Sequence, residues 1–128
     1  VRTSATGFWV QAGAASGTSS IVLGGATGAV TAFAGGGQTS ATQLTGVMAN
    51  VTVVATAADS VKLPLAQAGA VYFLSNSDGT GADSMQVFGA GTDTINAVAT
   101  ATGVAHAAGD RKVYWAVTSA PAGKWFST

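Results

Sequence analysis

The chain has 128 residues, of which 48% are hydrophobic and only 8% are charged, and its five cations and five acids give a formal net charge of zero. Soluble domains average about 25% charged residues, so this chain has little charge to keep its copies apart and its composition favours assembly. Zero net charge predicts no nucleic-acid partner, and the absence of cysteine excludes disulfides and thiolate metal sites.

The first four residues, Val-Arg-Thr-Ser, lack the charged start and the apolar stretch of a signal peptide. No apolar run reaches the roughly 18 residues that cross a bilayer. We therefore expect a chain made in the cytoplasm that has no membrane partner.

Residues 1–38 are rich in glycine and alanine and carry a single charged side chain, Arg2. Three short apolar pieces, at residues 7–11, 19–23 and 29–34, are interrupted by glycines, which weaken strand interiors. We interpret residues 1–38 as an extended Gly/Ala-rich N-terminal arm; the alternative is a set of ordinary strands in one continuous domain. The arm is where we expect contacts with a partner or neighbouring subunit, through Phe8, Trp9, Val10, Ile21, Val22 and Leu23.

Residues 39–128 are typical of an all-β domain. Short stretches of β-branched and aromatic residues recur with turn residues between them, which indicates a sandwich or barrel. We predict an antiparallel β-sandwich, jelly-roll-like, with no helix. The sequence shows no repeat of fixed period, which argues against a propeller or solenoid. The eight predicted strands cover residues 51–57, 59–65, 70–76, 84–88, 93–97, 103–107, 111–118 and 123–127.

Aromatic residues mark both faces of the last two predicted strands. Trp115 shares one face with its second neighbours along the strand, and Tyr114 projects from the other. Trp125 and Phe126 likewise lie on opposite faces of the final strand. One member of each pair fills the core and the other is free for a subunit contact, and we predict Tyr114 and Phe126 as the oligomer contacts.

Three patterns invite chemical interpretations, and each is weak. The loop at residues 76–83 is rich in oxygen donors, which suggests calcium, but Asn, Asp and Gly also favour turns. Asp59, Ser60 and His106 allow a hydrolase triad to be imagined, although no Gly-x-Ser-x-Gly motif is present. The glycines at 24–28 and 35–37 are not followed by the Lys-Ser/Thr of a phosphate-binding loop. We predict no catalytic residue, no metal site and no cofactor, and hence no enzyme.

A family resemblance covers roughly residues 38–128. It rests on residues 43–45 (QLT), 52–61 (TVVATAADSV), 62–64 (KLP), 68–72 (AGAVY), 86–88 (QVF), 91–96 (GTDTIN), 107–109 (AAG) and 123–125 (GKW). Together these segments resemble the small β-rich head decoration, or cement, proteins of tailed bacteriophages. The resemblance implies a structural virion protein on the capsid exterior, assembled in the host bacterial cytoplasm. It also implies a homo-oligomer, commonly a trimer, bound to the major capsid protein. The arm residues named above are then the predicted capsid or neighbour contacts.

Two other functions remain open at this point. One is a fibre, spike or tail subunit of the same kind of virion. The other is a carbohydrate-binding module for host adsorption, because the chain has three tryptophans and sugars stack on exposed aromatic faces.

Overall fold

The computed structural model describes residues 25–79 and 83–128. Within them the chain forms a six-stranded and a four-stranded sheet, with no helix. The strands are β1 (Ala26–Thr31), β2 (Thr42–Gln43), β3 (Met48–Val53), β4 (Ser60–Lys62), β5 (Val71–Asn76), β6 (Met85–Phe88), β7 (Thr94–Ile95), β8 (Val104–His106), β9 (Arg111–Thr118) and β10 (Lys124–Ser127).

From β1 to β9, consecutive strands lie in different sheets. The six-stranded sheet has the order β1-β3-β5-β9-β10-β7, and the four-stranded sheet has the order β2-β4-β6-β8. After each of these strands the chain crosses to the opposite sheet before it returns. As a result β1, β3 and β5 are parallel neighbours, as are β2, β4 and β6. Strands β8 and β9 then add antiparallel partners to β6 and β5.

This pairing corrects the predicted antiparallel sandwich. The all-β class is confirmed and the two sheets are compatible with a β-sandwich, but both sheets are mixed. Antiparallel neighbours need only a short hairpin, whereas parallel neighbours need a crossover, which here runs through the opposite sheet. The predicted jelly-roll topology is not confirmed by these pairings.

One hydrophobic cluster joins the two sheets. The six-stranded sheet contributes Leu74, Tyr114 and Trp125, and the four-stranded sheet contributes Val61 and Val87, all at most 2% exposed. The inward residues of both sheets therefore share a single core, as face-to-face packing requires.

The structure describes the predicted arm, residues 1–38, only from residue 25 onward. There β1 pairs with β3, and Phe33 forms a bridge with Ser60 of β4. Gly46 has φ +72°, and a Cβ on it would lie 1.7 Å from the carbonyl oxygen of Gly25. That oxygen accepts a hydrogen bond from the Val47 amide at 3.0 Å. Glycine at position 46 therefore permits the close approach that brings the beginning of β1 to β3.

Candidate interaction surface

The outer face of the six-stranded sheet carries more apolar surface than a solvent-facing sheet usually does. In β5, Tyr72 and Leu74 are buried and point to the core, while Val71 and Phe73 point outward. Strand β9 alternates in the same way, with Tyr114 inward and Trp115 outward. An exposed sheet face is normally polar at these outward positions.

The strand registers bring six outward apolar side chains of β3, β5, β9 and β10 into two adjacent rows. We call this set the outer patch: Met48–Phe73–Val113 in one row and Val71–Trp115–Phe126 in the other.

The outer patch is exposed at its centre and its margin. Met48 is 44% exposed, Val71 is 39% exposed and Trp115 is 38% exposed. Trp115 stacks on Phe126 with ring centroids 6.3 Å apart and an interplanar angle of 26°. Isolated surface apolar residues are common, but a contiguous apolar patch marks an interaction site or an aggregation hazard.

Two cations lie at the ends of the outer patch. Arg111 begins β9 and borders a groove of ≈ 240 Å³ that is also lined by Met48, Phe73 and Val113. Lys124 begins β10 opposite Thr118, near the other end of β9. Both cations are exposed, and neither forms an ion pair within the described residues.

The two predicted oligomer contacts occupy different environments. Phe126 is half-buried and belongs to the outer patch, whereas Tyr114 has no exposed surface. The predicted faces of β9 are therefore reversed: Tyr114 packs in the core and Trp115 lies outside. A fully buried side chain offers no area to a second subunit, so the structure corrects the assignment of Tyr114.

Tyr114 is held inward by His106. The two side chains meet at 3.0 Å between the tyrosine hydroxyl and Nδ1, and the ring Nε2 lies 3.1 Å from the carbonyl oxygen of Asp110. A carbonyl can only accept, so Nε2 carries the proton and Nδ1 of the neutral ring accepts from the hydroxyl. His106 is fully buried and both of its nitrogens are satisfied, which makes it a structural histidine.

The environment of His106 predicts a pH dependence of stability. Burial lowers the pKa of His106 below 6.5 and Lys112 lowers it further, while the Asp110 carbonyl and carboxylate act in the opposite direction. The unfolded chain therefore binds more protons than the folded chain below about pH 6.5, and stability must fall as the pH falls. One proton gives a slope of at most about 1.4 kcal/mol per pH unit.

Urea unfolding between pH 7 and pH 5 measures this slope. His106 is the only histidine in the chain, so we expect His106→Gln to be less stable than the wild type at pH 7 but nearly flat over that range. An equal slope in the variant would contradict the assignment.

The other members of the imagined triad also bind the backbone. Asp59 is buried and accepts from the amides of Ala55 at 2.7 Å and Thr56 at 3.3 Å, and from the Thr56 hydroxyl at 2.8 Å. Burial raises the pKa of Asp59, but these bonds and one from the Gly35 amide outweigh it and hold the pKa below 3.8. The Ser60 hydroxyl donates to the carbonyl oxygen of Gly37 at 3.4 Å. These contacts hold turns together, and none of them joins the three residues to one another.

Asn76 organises the first part of the predicted calcium loop. Its side chain donates to the carbonyl oxygens of Asp83 and His106 and accepts from the Asp78 amide at 3.2 Å. Residues 80–82 lie outside the described part of the chain. Within the described residues, no group of three or more His, Asp or Glu side chains is placed to hold a metal ion.

The glycines at 35–37 also serve local packing. A Cβ on Gly36 would lie 2.6 Å from the carbonyl oxygen of Ala58, so the absence of a side chain permits a close backbone approach. The predicted contacts Phe8, Trp9, Val10, Ile21, Val22 and Leu23 all lie outside the described residues.

Sequence reasoning did not identify the outer patch as a unit. The only available signal was that large apolar residues occur on both alternating faces of β5 and β9, which is more than a one-sided core requires. No helix long and apolar enough to span a bilayer occurs in residues 25–79 or 83–128. Comparison of the chain with protein-family models, curated proteins and solved structures found no match.

Proposed function

We propose that this chain is a structural virion protein that decorates and stabilises a bacteriophage capsid. In this proposal it binds the major capsid protein on the capsid exterior as a homo-oligomer, a trimer, after assembly in the host bacterial cytoplasm. The observation that carries the proposal is the outer patch, because a decorating protein acts through extended contact surfaces. Six apolar side chains on four neighbouring strands offer such a surface.

The buried polar residues support a structural role. Asp59 and His106, which an enzyme would need to expose to substrate, have their hydrogen bonds directed to neighbouring turns and to Tyr114. The resemblance of residues 38–128 to head decoration proteins supplies the particular assembly. The arm contacts remain part of the proposal as sequence-based predictions.

Cryo-electron microscopy of intact virions that contain the chain tests this function. We expect density for the two-sheet domain on the outer capsid surface, at three-fold positions or at seams between capsid subunits. Density confined to the tail would overturn the decoration role in favour of a fibre, spike or tail subunit.

Carbohydrate binding is a second candidate because Trp115 is 38% exposed. One side of this ring already stacks on Phe126, so a sugar would have to use the remaining surface. A glycan array separates the two functions, since a decoration protein needs no sugar. Binding that Trp115→Ser abolishes, with no density on capsids, would favour the adsorption module.

A further inference from the structure

The two exposed charges at the ends of the outer patch that form no ion pair within the described residues are both cations. Arg111 and Thr118 bound β9, and Lys124 pairs with Thr118. At about 3.3 Å per residue the two cations lie about 23 Å apart along the strand. They flank the apolar rows Met48–Phe73–Val113 and Val71–Trp115–Phe126 at opposite ends.

The acids of the described chain do not balance these cations. Asp59, Asp78 and Asp93 are buried, and the carboxylates of Asp59 and Asp93 accept backbone amides. Asp110 is paired with Lys112 at 3.5 Å, and Asp83 is half-buried beside the side chain of Asn76. A formal net charge of zero therefore becomes a cationic margin around an apolar patch once the chain is folded.

A second copy of the chain does not complement this margin. If two outer patches meet with their β9 strands parallel, Arg111 faces Arg111 and Lys124 faces Lys124. If the strands are antiparallel, Arg111 faces Lys124 at both ends. Like charges brought together at an interface cost several kcal/mol, so the patch disfavours contact with itself. Residues 1–24 contain no Asp or Glu and cannot supply the missing carboxylates either.

We propose that the outer patch docks a different protein, whose contacting surface is apolar at its centre and carries carboxylates at two ends about 23 Å apart. Phe126 then belongs to this docking surface and not to the contact between copies of the chain. The identification of that protein as the major capsid protein rests on the proposed function; the chemistry of the surface does not.

A charge-reversed copy of the chain provides a partner of this chemistry. The double variant Arg111→Glu/Lys124→Glu keeps the apolar rows but places carboxylates at both ends, and both positions are exposed, so the fold should be retained. Mixed with wild type in 50 mM NaCl, it should form a complex heavier than either protein alone, measured by sedimentation velocity. Calorimetry should show that this copy binds wild type about tenfold more tightly than a copy with neutral residues at both positions does, and that its affinity falls about tenfold in 500 mM NaCl.

Two variants serve as controls. The neutral double variant Arg111→Gln/Lys124→Gln keeps the apolar rows and removes the repulsion between cations but supplies no carboxylate, so it should bind wild type less tightly than the charge-reversed copy does. Trp115→Ser in the wild-type partner should abolish the complex while its own oligomeric mass stays unchanged. The inference is overturned if the charge-reversed copy fails to bind, or if Trp115→Ser dissociates the wild-type oligomer.

Capsids stripped of the chain separate this inference from the proposed function. If they bind wild type but not Trp115→Ser, both stand. If they bind the two proteins equally, decoration stands and the assignment of the patch fails. If they bind neither while the charge-reversed copy binds, the docking chemistry stands and the capsid role fails.

Discussion

Asp93→Ala is expected to lower the free energy of unfolding by about 3 kcal/mol. Asp93 is 1% exposed, and its carboxylate accepts the amides of Ala66 and Gly123, each at 2.7 Å. The alanine leaves two buried N–H groups without an acceptor, at about 1–3 kcal/mol each. The substitution also removes the free-energy cost of burying the carboxylate, which offsets part of the destabilisation. We therefore expect a value in the lower half of the range obtained by adding the two amide contributions.

Urea unfolding at pH 7 measures the change, and Asp110→Ala is the matched control. Asp110 makes an ion pair with Lys112 near the surface, so its loss should cost less than about 1 kcal/mol. Similar losses for the two variants would show that the Asp93 carboxylate does not hold these two turns together.

Gly123→Ala is expected to cost about 3 kcal/mol by overpacking the same corner of the fold. An added Cβ would lie 2.3 Å from the Ala66 Cβ and 2.9 Å from Oδ1 of Asp93. The first contact is with an atom fixed directly to the backbone, so relief requires β10 to shift away from Ala66. That shift would also lengthen the Gly123–Asp93 hydrogen bond.

Thermal and urea unfolding check this prediction against Gly79→Ala, where a Cβ would have none of the described residues within 4 Å. The control should change stability by less than about 1 kcal/mol. In a double-mutant cycle, Ala66→Gly should recover part of the loss in Gly123→Ala, because it removes the clashing methyl group. Additive effects of the two substitutions would rule out the clash as the cause.

The positions of the strands could be predicted from local sequence. Each of the eight predicted strands overlaps one of β3 to β10, and β9 has the predicted bounds 111–118. β-Branched and aromatic residues with turn residues between them are local signals, which explains this agreement. Strand β2 was not predicted because two residues leave no detectable alternation.

The pairing of the strands was not predictable in the same way. Ala26 pairs with Met48, while Met48 pairs with Phe73, so successive passes through the six-stranded sheet take unequal lengths of chain. Because these intervals between paired residues differ in length, the sequence shows no fixed-period repeat. The parallel strands nevertheless lie side by side in chain order. Whether two strands pair in parallel or antiparallel depends on the path of the connection between them. Contacts between residues far apart in sequence determine that path.

The candidate site shows the same limit. Alternation in β9 places Tyr114 on the face that also carries Lys112, and Trp115 on a face with two valines. This pattern favours the Trp115 face as the inward one, which is the reverse of the structure. In the folded chain Tyr114 lies inward, where its hydroxyl reaches the ring of His106. That partner belongs to β8 in the other sheet.

The sequence by itself determined the all-β class, the strand positions and the scarcity of charge, because these follow from composition and local pattern. Only the tertiary structure decided which face of β9 is covered and which charges stay exposed. Backbone amides from two distant turns enclose Asp93, and amides of its own turn enclose Asp59. Arg111 and Lys124 remain at the surface. A balanced set of charges thereby becomes a cationic margin around an apolar patch, because burial depends on three-dimensional packing.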